Sequence, residues 1–354
     1  MHLAVAASLM TIVASTCPGD PVDTVFSLYD GARPGASLAV IHDGTIVYER
    51  TYGMANLARQ ERTTPQTNFR LASVTKQFTA AAILLLAERG KLSLDDRAVK
   101  YLPELREVAP DVTLRHLLTH TSGLPEYPAL LPKDDTKPVV DADVLALVAQ
   151  QPRPKTAPGA RYKYSNTGYA LLAMIVERTS KQSYSEFLRT QVFAPLGMTA
   201  TRTITPDAKI PDRALGYDGN AFRHWEHDTD RATTVLGDGG IYSSPRDLAR
   251  WIDALGRHTL LSAARLDEAT SPLVKTDAPG VSYGFGWRIS EVLGEKLVFH
   301  TGTTTGFKNA LLWVPARKLA VVILTNRKQG DPLTLGKLVL ERFWDHSPTD
   351  TNRR

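Results

Sequence analysis

Ser73-Val74-Thr75-Lys76 is the one place where a serine is followed three residues later by lysine, in a chain that holds 18 serines. On a helix that spacing sets the two side chains one turn apart on one face, so Lys76 Nζ can sit beside Ser73 Oγ. A serine hydroxyl is a weak nucleophile until a neighbouring base takes its proton, and a lysine serves only if burial or nearby positive charge lowers its pKa. A serine that opens a helix also has free N–H groups and the positive dipole end at hand to steady an oxyanion. Tyr164-Ser165-Asn166 forms a polar turn ahead of an apolar helical pattern. A tyrosine beside a cationic lysine can relay a proton, and an asparagine two residues on offers a donor and an acceptor to a substrate amide. His300-Thr301-Gly302-Thr303 ends a strand pattern. Glycine there lets a ligand approach the strand, whose N–H groups can complete an oxyanion hole. Singly, the three motifs read as a helix start, a capping turn and a satisfied strand-end histidine. In combination they can perform acyl transfer through a serine.

The elements around these groups must bring three distant stretches together. Residues 37–42 and 45–52 are β-forming runs around Asp43-Gly44, the strongest short hairpin signal a sequence offers. Over 71–90 the pattern becomes helical, with Phe78, Ala81, Ala82 and Leu85 on one face and Gly90 as the stop. Seven prolines between 125 and 158 predict loops around one short helix near 141–150. Helices are also predicted over 167–179 and after Ser244-Pro245-Arg246-Asp247, where serine caps, proline fits the first turn and aspartate opposes the dipole. Short strands follow over 283–289, 296–300, 308–314 and 319–325, and a helix closes the chain over 331–345. Strands at both ends with helices between them predict an α+β fold, not an alternating βαβ wind. Its one sheet takes about residues 22–90 and 280–346, and about 91–279 form a mainly helical insertion.

The set Ser73/Lys76, Tyr164/Asn166 and His300/Gly302 resembles the class C β-lactamase, DD-peptidase and esterase superfamily of serine hydrolases. Residues 112–124 (VTLRHLLTHTSGL), 158–198 (PGARYKYSNTGYALLAMIVERTSKQSYSEFLRTQVFAPLGM) and 239–251 (GGIYSSPRDLARW) resemble recurring segments of that family, and the likeness spans roughly 22–345. The resemblance implies a β-lactamase/transpeptidase-like fold with an antiparallel sheet. It also implies a covalent acyl-enzyme formed without metal or cofactor. By it, Ser73 is the nucleophile, Lys76 its activating partner, and Tyr164 exchanges protons with the leaving group and then with water. Asn166 holds the acyl side chain; His300, Thr301, Gly302 and Thr303 line the substrate strand, with the N–H groups of Ser73 and Thr303 as oxyanion hole. Whether Lys76 or Tyr164 is the base stays open, since the pair titrates as one system.

Two departures bear on substrate. Class C β-lactamases usually carry lysine where this chain has His300, and a neutral imidazole attracts a β-lactam carboxylate less. Asp238, in Leu236-Gly237-Asp238-Gly239-Gly240, stands where the family often has small residues. It either repels anionic substrates or serves as a turn residue, the plainer reading. The expectation is an esterase or D-amino-acid peptidase acting on a small ester, amide or peptide. A class C-type β-lactamase or DD-carboxypeptidase is the alternative. A non-catalytic penicillin-binding-like receptor is the reading from another class, and the presence of Ser73, Lys76, Tyr164 and Asn166 together speaks against it.

Composition excludes several other classes. In 354 residues, 42 basic minus 37 acidic side chains leave +5, without a basic tract, which is weak support for a nucleic-acid partner. About 43% apolar and 22% charged residues exclude wholesale disorder. Cys17 is the single cysteine, so no intramolecular disulfide or cysteine-built metal site can form. His116/His120 and His224/His227/Asp228 are loose clusters without the HExxH spacing of a zinc site. Ser122 lacks the first glycine of a G-x-S-x-G elbow. The uncharged apolar run 3–14 is too short to span a membrane and, with Ser15, Thr16 and Cys17 behind it, reads as a secretory signal over 1–18. An exported, periplasmic or secreted location follows, with a lipid on Cys17 weakly supported and 347–354 as a disordered tail.

Overall fold

Strands β1 (Ala36–His42) and β2 (Thr45–Tyr52) fold back through Asp43-Gly44, with φ of 47° and 76°. Two left-handed residues in succession are what a two-residue type I′ turn requires, as the sequence predicts. The computed structural model describes residues 20–345 apart from 133, 206, 221 and 222, so the expected signal over 1–18, with Cys17, and the expected tail over 347–354 lie outside the described residues. From the chain's other end come β3 (Val274–Lys275), β4 (Ser282–Tyr283), β5 (Arg288–Val292), β6 (Glu295–Thr304), β7 (Phe307–Val314) and β8 (Leu319–Thr325). They join the first two in one eight-stranded sheet of order β3-β4-β5-β6-β7-β8-β1-β2. The pairings in this sheet are antiparallel throughout, and β8 beside β1 closes the two ends of the chain on each other.

Side chains of the central strands alternate between two cores. Ala39 and Ile41 of β1 and Ala320, Val322 and Leu324 of β8 face one; Leu38, Val40, Leu319, Val321 and Ile323 face the other. That is the period of two of a pleated strand, with both faces covered, so LAVVILT reads as an unbroken apolar run. Burying one such Val, Leu or Ile contributes roughly 1.5–3 kcal/mol. Helix α5 (Pro332–Arg342), the closing helix of the sequence reading, packs with Val22 and Phe26 on the second face. On the first face lie α1 (Lys76–Glu88), α2 (Asp141–Ala149), α3 (Asn166–Ser180) and α4 (Pro245–Gly256).

Two expectations need correction. The strand predicted over 283–289 is broken into β4 and β5, because the Gly284 N–H bonds the Trp287 carbonyl (2.8 Å) and closes a turn. The strand predicted over 296–300 runs on to Thr304, because β7 pairs it to the end, Thr304 opposite Phe307. The middle of the chain also holds small antiparallel pairings, Phe69–Arg70 and Arg202–Thr203 on Ile241–Ser243, and Tyr217–Gly219 on His224–Glu226.

Candidate active site

Leu71 through Leu86 are buried except Ser73, which is half-buried. The predicted helix over 71–90 begins as a 3₁₀ turn, Ala72–Thr75, that runs straight into α1 at Lys76. Ala72, directly before the serine, has φ +50°, a left-handed conformation that L-residues with a Cβ pay for in strain and that clusters at functional turns. α1 is apolar nearly all round and therefore central. Trp251 Nε1 of α4 donates to its Gln77 (2.9 Å), and its Thr79 hydroxyl donates to the Gly237 carbonyl (2.6 Å). A helix gripped on several sides holds Lys76 in a fixed place.

Lys76 is fully buried. Its Nζ donates to Ser73 Oγ at 3.2 Å, to Asn166 Oδ1 at 2.8 Å and to the Asp238 backbone carbonyl at 2.9 Å. Three acceptors fill the three donors of an ammonium. Asn166 opens α3, whose cap is Ser165, its hydroxyl accepting from the Gly168 N–H at 3.1 Å. The predicted polar turn before a helix is thus present, and Asn166 Oδ1 meets Lys76. Tyr164 sits one residue before that cap, with its ring centroid 5.0 Å from Lys76 Nζ.

β6 makes the opposite wall. Its pairing to β5 ends at Phe299 opposite Arg288, so from His300 to Thr304 that edge has no strand partner. There Gly302 lies against the nucleophile turn: a Cβ on it would stand 2.1 Å from the Leu71 carbonyl oxygen and 3.2 Å from Ala72 Cβ. The glycine expected to admit a ligand admits the chain itself, drawing the free edge up to Ser73. Thr303 on that edge is exposed and Thr301 half-buried. Arg70, 3% exposed, donates to Thr233 Oγ1 (3.0 Å) and Thr305 Oγ1 (3.3 Å), tying the turn after Thr303 to the strand before Ser73. Asn309 of β7 fastens that strand to the sheet through the Arg70 carbonyl (2.8 Å).

His300 is not offered to the cleft. It is 1% exposed, its Nδ1 is 2.6 Å from the Thr301 carbonyl and its Nε2 is 3.0 Å from the Tyr283 hydroxyl. A carbonyl only accepts, so Nδ1 carries the proton and Nε2 accepts from tyrosine. Burial, then the charges of Arg288 and Lys76, push His300 well below the usual histidine range, so it is neutral.

Several groups at the site were not among the expected site residues. His120 has φ +58°, takes the Ser165 N–H on Nδ1 (3.0 Å) and lies against the Tyr164 ring at a 40° tilt with centroids 4.4 Å apart. Burial first, then Lys76 and His300, hold it neutral. Glu126 accepts the Asn166 N–H at 2.8 Å. Arg288 lies with its guanidinium carbon 5.6 Å from the Tyr164 ring centroid and 5.9 Å from that of Tyr283. The signal available for His120 was the polar His120-Thr121-Ser122-Gly123 turn; Arg288, on a strand edge, left none.

The other histidine clusters are accounted for by the fold. His116 Nδ1 accepts the Thr113 N–H (3.2 Å) in a helix-capping exchange. Asp228 pairs with Arg213 and accepts the Gly216 N–H (2.7 Å), while His227 lies 3.7 Å from Asp218. Among the described residues no group of three or more His, Cys, Asp or Glu is placed to hold a metal ion. Among the same residues no helix is long and apolar enough to cross a membrane. Two large clefts, of about 650 and 760 Å³, lie elsewhere and are lined by none of Ser73, Lys76 and Tyr164.

A serine and lysine one turn apart, an asparagine on that lysine, a tyrosine over it and a free strand edge opposite are thus assembled on one sheet. The family model described as Beta-lactamase matches residues 14–341. The chain belongs to the Beta-lactamase family. Within that family it is 31% identical over 303 residues to a penicillin-binding protein of Bacillus subtilis (strain 168), covering 81% of this chain and 66% of that one. It is 29% identical over 318 residues to a D-aminopeptidase of Brucella anthropi, covering 87% of this chain and 59% of that one. The chain therefore spans less than two thirds of the length of these curated relatives. Among solved structures, the octameric penicillin-binding protein homologue from Pyrococcus abyssi superposes with a TM-score of 0.80 at 30% identity, over 90% of this chain and 75% of that one. The fold inferred from sequence, a β-lactamase/transpeptidase-like α+β architecture, is the fold of these Beta-lactamase-family relatives.

Proposed function

We propose that the protein is a serine hydrolase that cleaves an ester or amide through an acyl-Ser73 intermediate, with small D-amino-acid peptides or amides as the favoured substrate class. The observation that carries the reading is Lys76 Nζ, 3.2 Å from Ser73 Oγ and anchored by Asn166 and Asp238. In the first step Ser73 Oγ attacks the scissile carbonyl carbon and its proton passes to the Lys76/Tyr164 pair. The Ser73 and Thr303 N–H groups receive the oxyanion. As the tetrahedral adduct collapses, the leaving amine or alcohol takes that proton and departs. Water then attacks the acyl ester, its proton returns to Ser73 Oγ, and the acid is released. The three contacts hold Lys76 Nζ beside Ser73 Oγ with the Tyr164 ring 5.0 Å away, so the proton passes within a Lys76/Tyr164 pair that works as one system.

Support for the substrate class is electrostatic. Arg288 is a half-buried cation over the Tyr164 ring and can meet the carboxylate of a peptide leaving group, whereas His300 is neutral and engaged inside the protein. The D-aminopeptidase relative has the same chemistry in its name. An exported enzyme belongs to the same reading, on the apolar run 3–14 and the small residues that follow it. A side-by-side assay of p-nitrophenyl esters, nitrocefin and a D-Ala-D-Ala peptide tests it. The expected result is kcat/KM at least ~100-fold higher for ester or D-peptide than for nitrocefin; the reverse order would make the protein a β-lactamase.

A further inference from the structure

Asp238 is a buried acid that the hydrolytic steps above do not use. It lies in the one-turn helix Leu236–Gly239, whose Asp238 carbonyl receives Lys76 Nζ. The turn is pinned from behind. Asp141 of α2, itself 7% exposed, accepts the N–H groups of Leu236 (2.9 Å) and Gly237 (3.1 Å), and Thr79 of α1 donates to the Gly237 carbonyl (2.6 Å). The Asp238 side chain is carried inward on this turn, 8% exposed, with the Tyr127 hydroxyl donating to its Oδ2 at 3.2 Å. The charged and titratable groups facing it are Lys76, Arg70, Glu126, Tyr127, Asp141 and Tyr184. Of these the cations are Lys76 and Arg70; Arg70 donates to two threonines, and Lys76 Nζ donates to the backbone carbonyl of Asp238 itself. The Asp238 carboxylate is thus a buried negative charge that faces both cations, of which Lys76 is the one beside Ser73.

We propose that Asp238 is a positioning residue of the hydrolase: held by Tyr127, its carboxylate is the buried counter-charge that keeps Lys76 an ammonium and sets the pH at which Ser73 becomes reactive. The proposal rests on the Ser73 hydrolase reading. A charge this far from water is little screened, so it acts on Lys76 and, through Lys76, on Tyr164. Burial raises Asp238 to about 6, with Lys76 and the Tyr127 hydrogen bond pulling the other way, so the carboxylate is ionised at neutral pH and protonated in mild acid. Its removal makes an ammonium less favoured and a phenolate more favoured. Whichever of Lys76 and Tyr164 accepts the Ser73 proton is then free to do so at lower pH.

The test is the pH dependence of Ser73 modification by a fluorophosphonate, followed as a second-order inactivation rate in the whole protein. In Asp238→Asn the rising limb should move to lower pH by about one unit, so that around neutral pH, where Asp238 is ionised in the wild type, the variant reacts ~10-fold faster, and the two rates should converge in mild acid, where the wild-type Asp238 is itself protonated. A residue that only holds the turn together would slow the reaction at every pH and leave the limb in place. Tyr127→Phe, which removes the hydrogen bond and lets Asp238 protonate at higher pH, should shift the limb in the same direction by less, and it decides the matter if Asp238→Asn does not fold. An unmoved limb, or one moved to higher pH, in a folded variant overturns the proposal. A wild-type protein that the probe never labels at Ser73 overturns the hydrolase reading instead.

Discussion

On one wall of the site Lys76 Nζ meets Ser73, Asn166 and Asp238 at 2.8–3.2 Å, each contact a hydrogen bond with one donor and one acceptor. On the other, His120, Tyr283 and His300 meet ring to ring, with centroids 4.4–5.8 Å apart and a hydrogen bond between Tyr283 and His300, while the Tyr164 ring, 5.0 Å from Lys76 Nζ, stands between the two walls. The first wall fixes where protons are, because a donor and an acceptor must align within tenths of an ångström. The second excludes water and lowers the local dielectric, which is why both histidines are held neutral. On the proposed reading, chemistry that moves a proton belongs to the directional wall and to Tyr164 beside it, while the ring wall supplies shape and surroundings. Gly302 joins the two, since only a residue without Cβ lets β6 come up against Leu71 and Ala72.

The comparison predicts unequal costs. Lys76→Ala removes the donor common to three acceptors and should lower kcat by roughly 10²–10⁴, the range for acid–base groups, in a protein whose folding is checked by circular dichroism. A near-normal kcat would take Lys76 out of the mechanism. Tyr283→Phe keeps the ring and deletes one hydroxyl, leaving His300 Nε2 a buried acceptor without its donor. It should cost roughly 1–3 kcal/mol in urea unfolding but less than ~10-fold in kcat. A Tyr283→Phe loss as large as that of Lys76→Ala would end the distinction between the walls.

The directional wall was legible in the sequence because its parts are local. Ser73 and Lys76 share one helical turn, and Tyr164 and Asn166 flank a capping serine, so spacing alone states their geometry. The sheet was legible where strands are apolar on both faces, as in β8, and the hairpin where two residues of known turn preference stand together. The ring wall was not legible, because His120, Tyr283 and His300 come from three separate segments and meet only in the fold. Nothing in residues 283–288 shows that Tyr283 will bond His300 or that Arg288 will lie over Tyr164. The break between β4 and β5 was missed for a related reason: 283–289 has strand composition, and a backbone turn overrides it. Asp238 illustrates the remaining limit. Its turn position could be read from flanking glycines, but the burial that makes its charge felt by Lys76 comes from Tyr127 and Asp141, about 110 and 100 residues away in sequence.

The central claim is a covalent bond to Ser73, and the most direct measurement is mass spectrometry of protein quenched in acid while it turns over a p-nitrophenyl ester. The predicted result is one acyl group per chain, carried on the peptide containing Ser73, with neither adduct nor turnover in Ser73→Ala. Ester hydrolysis that persists in a folded Ser73→Ala protein, or an acyl group found on another residue, would contradict it.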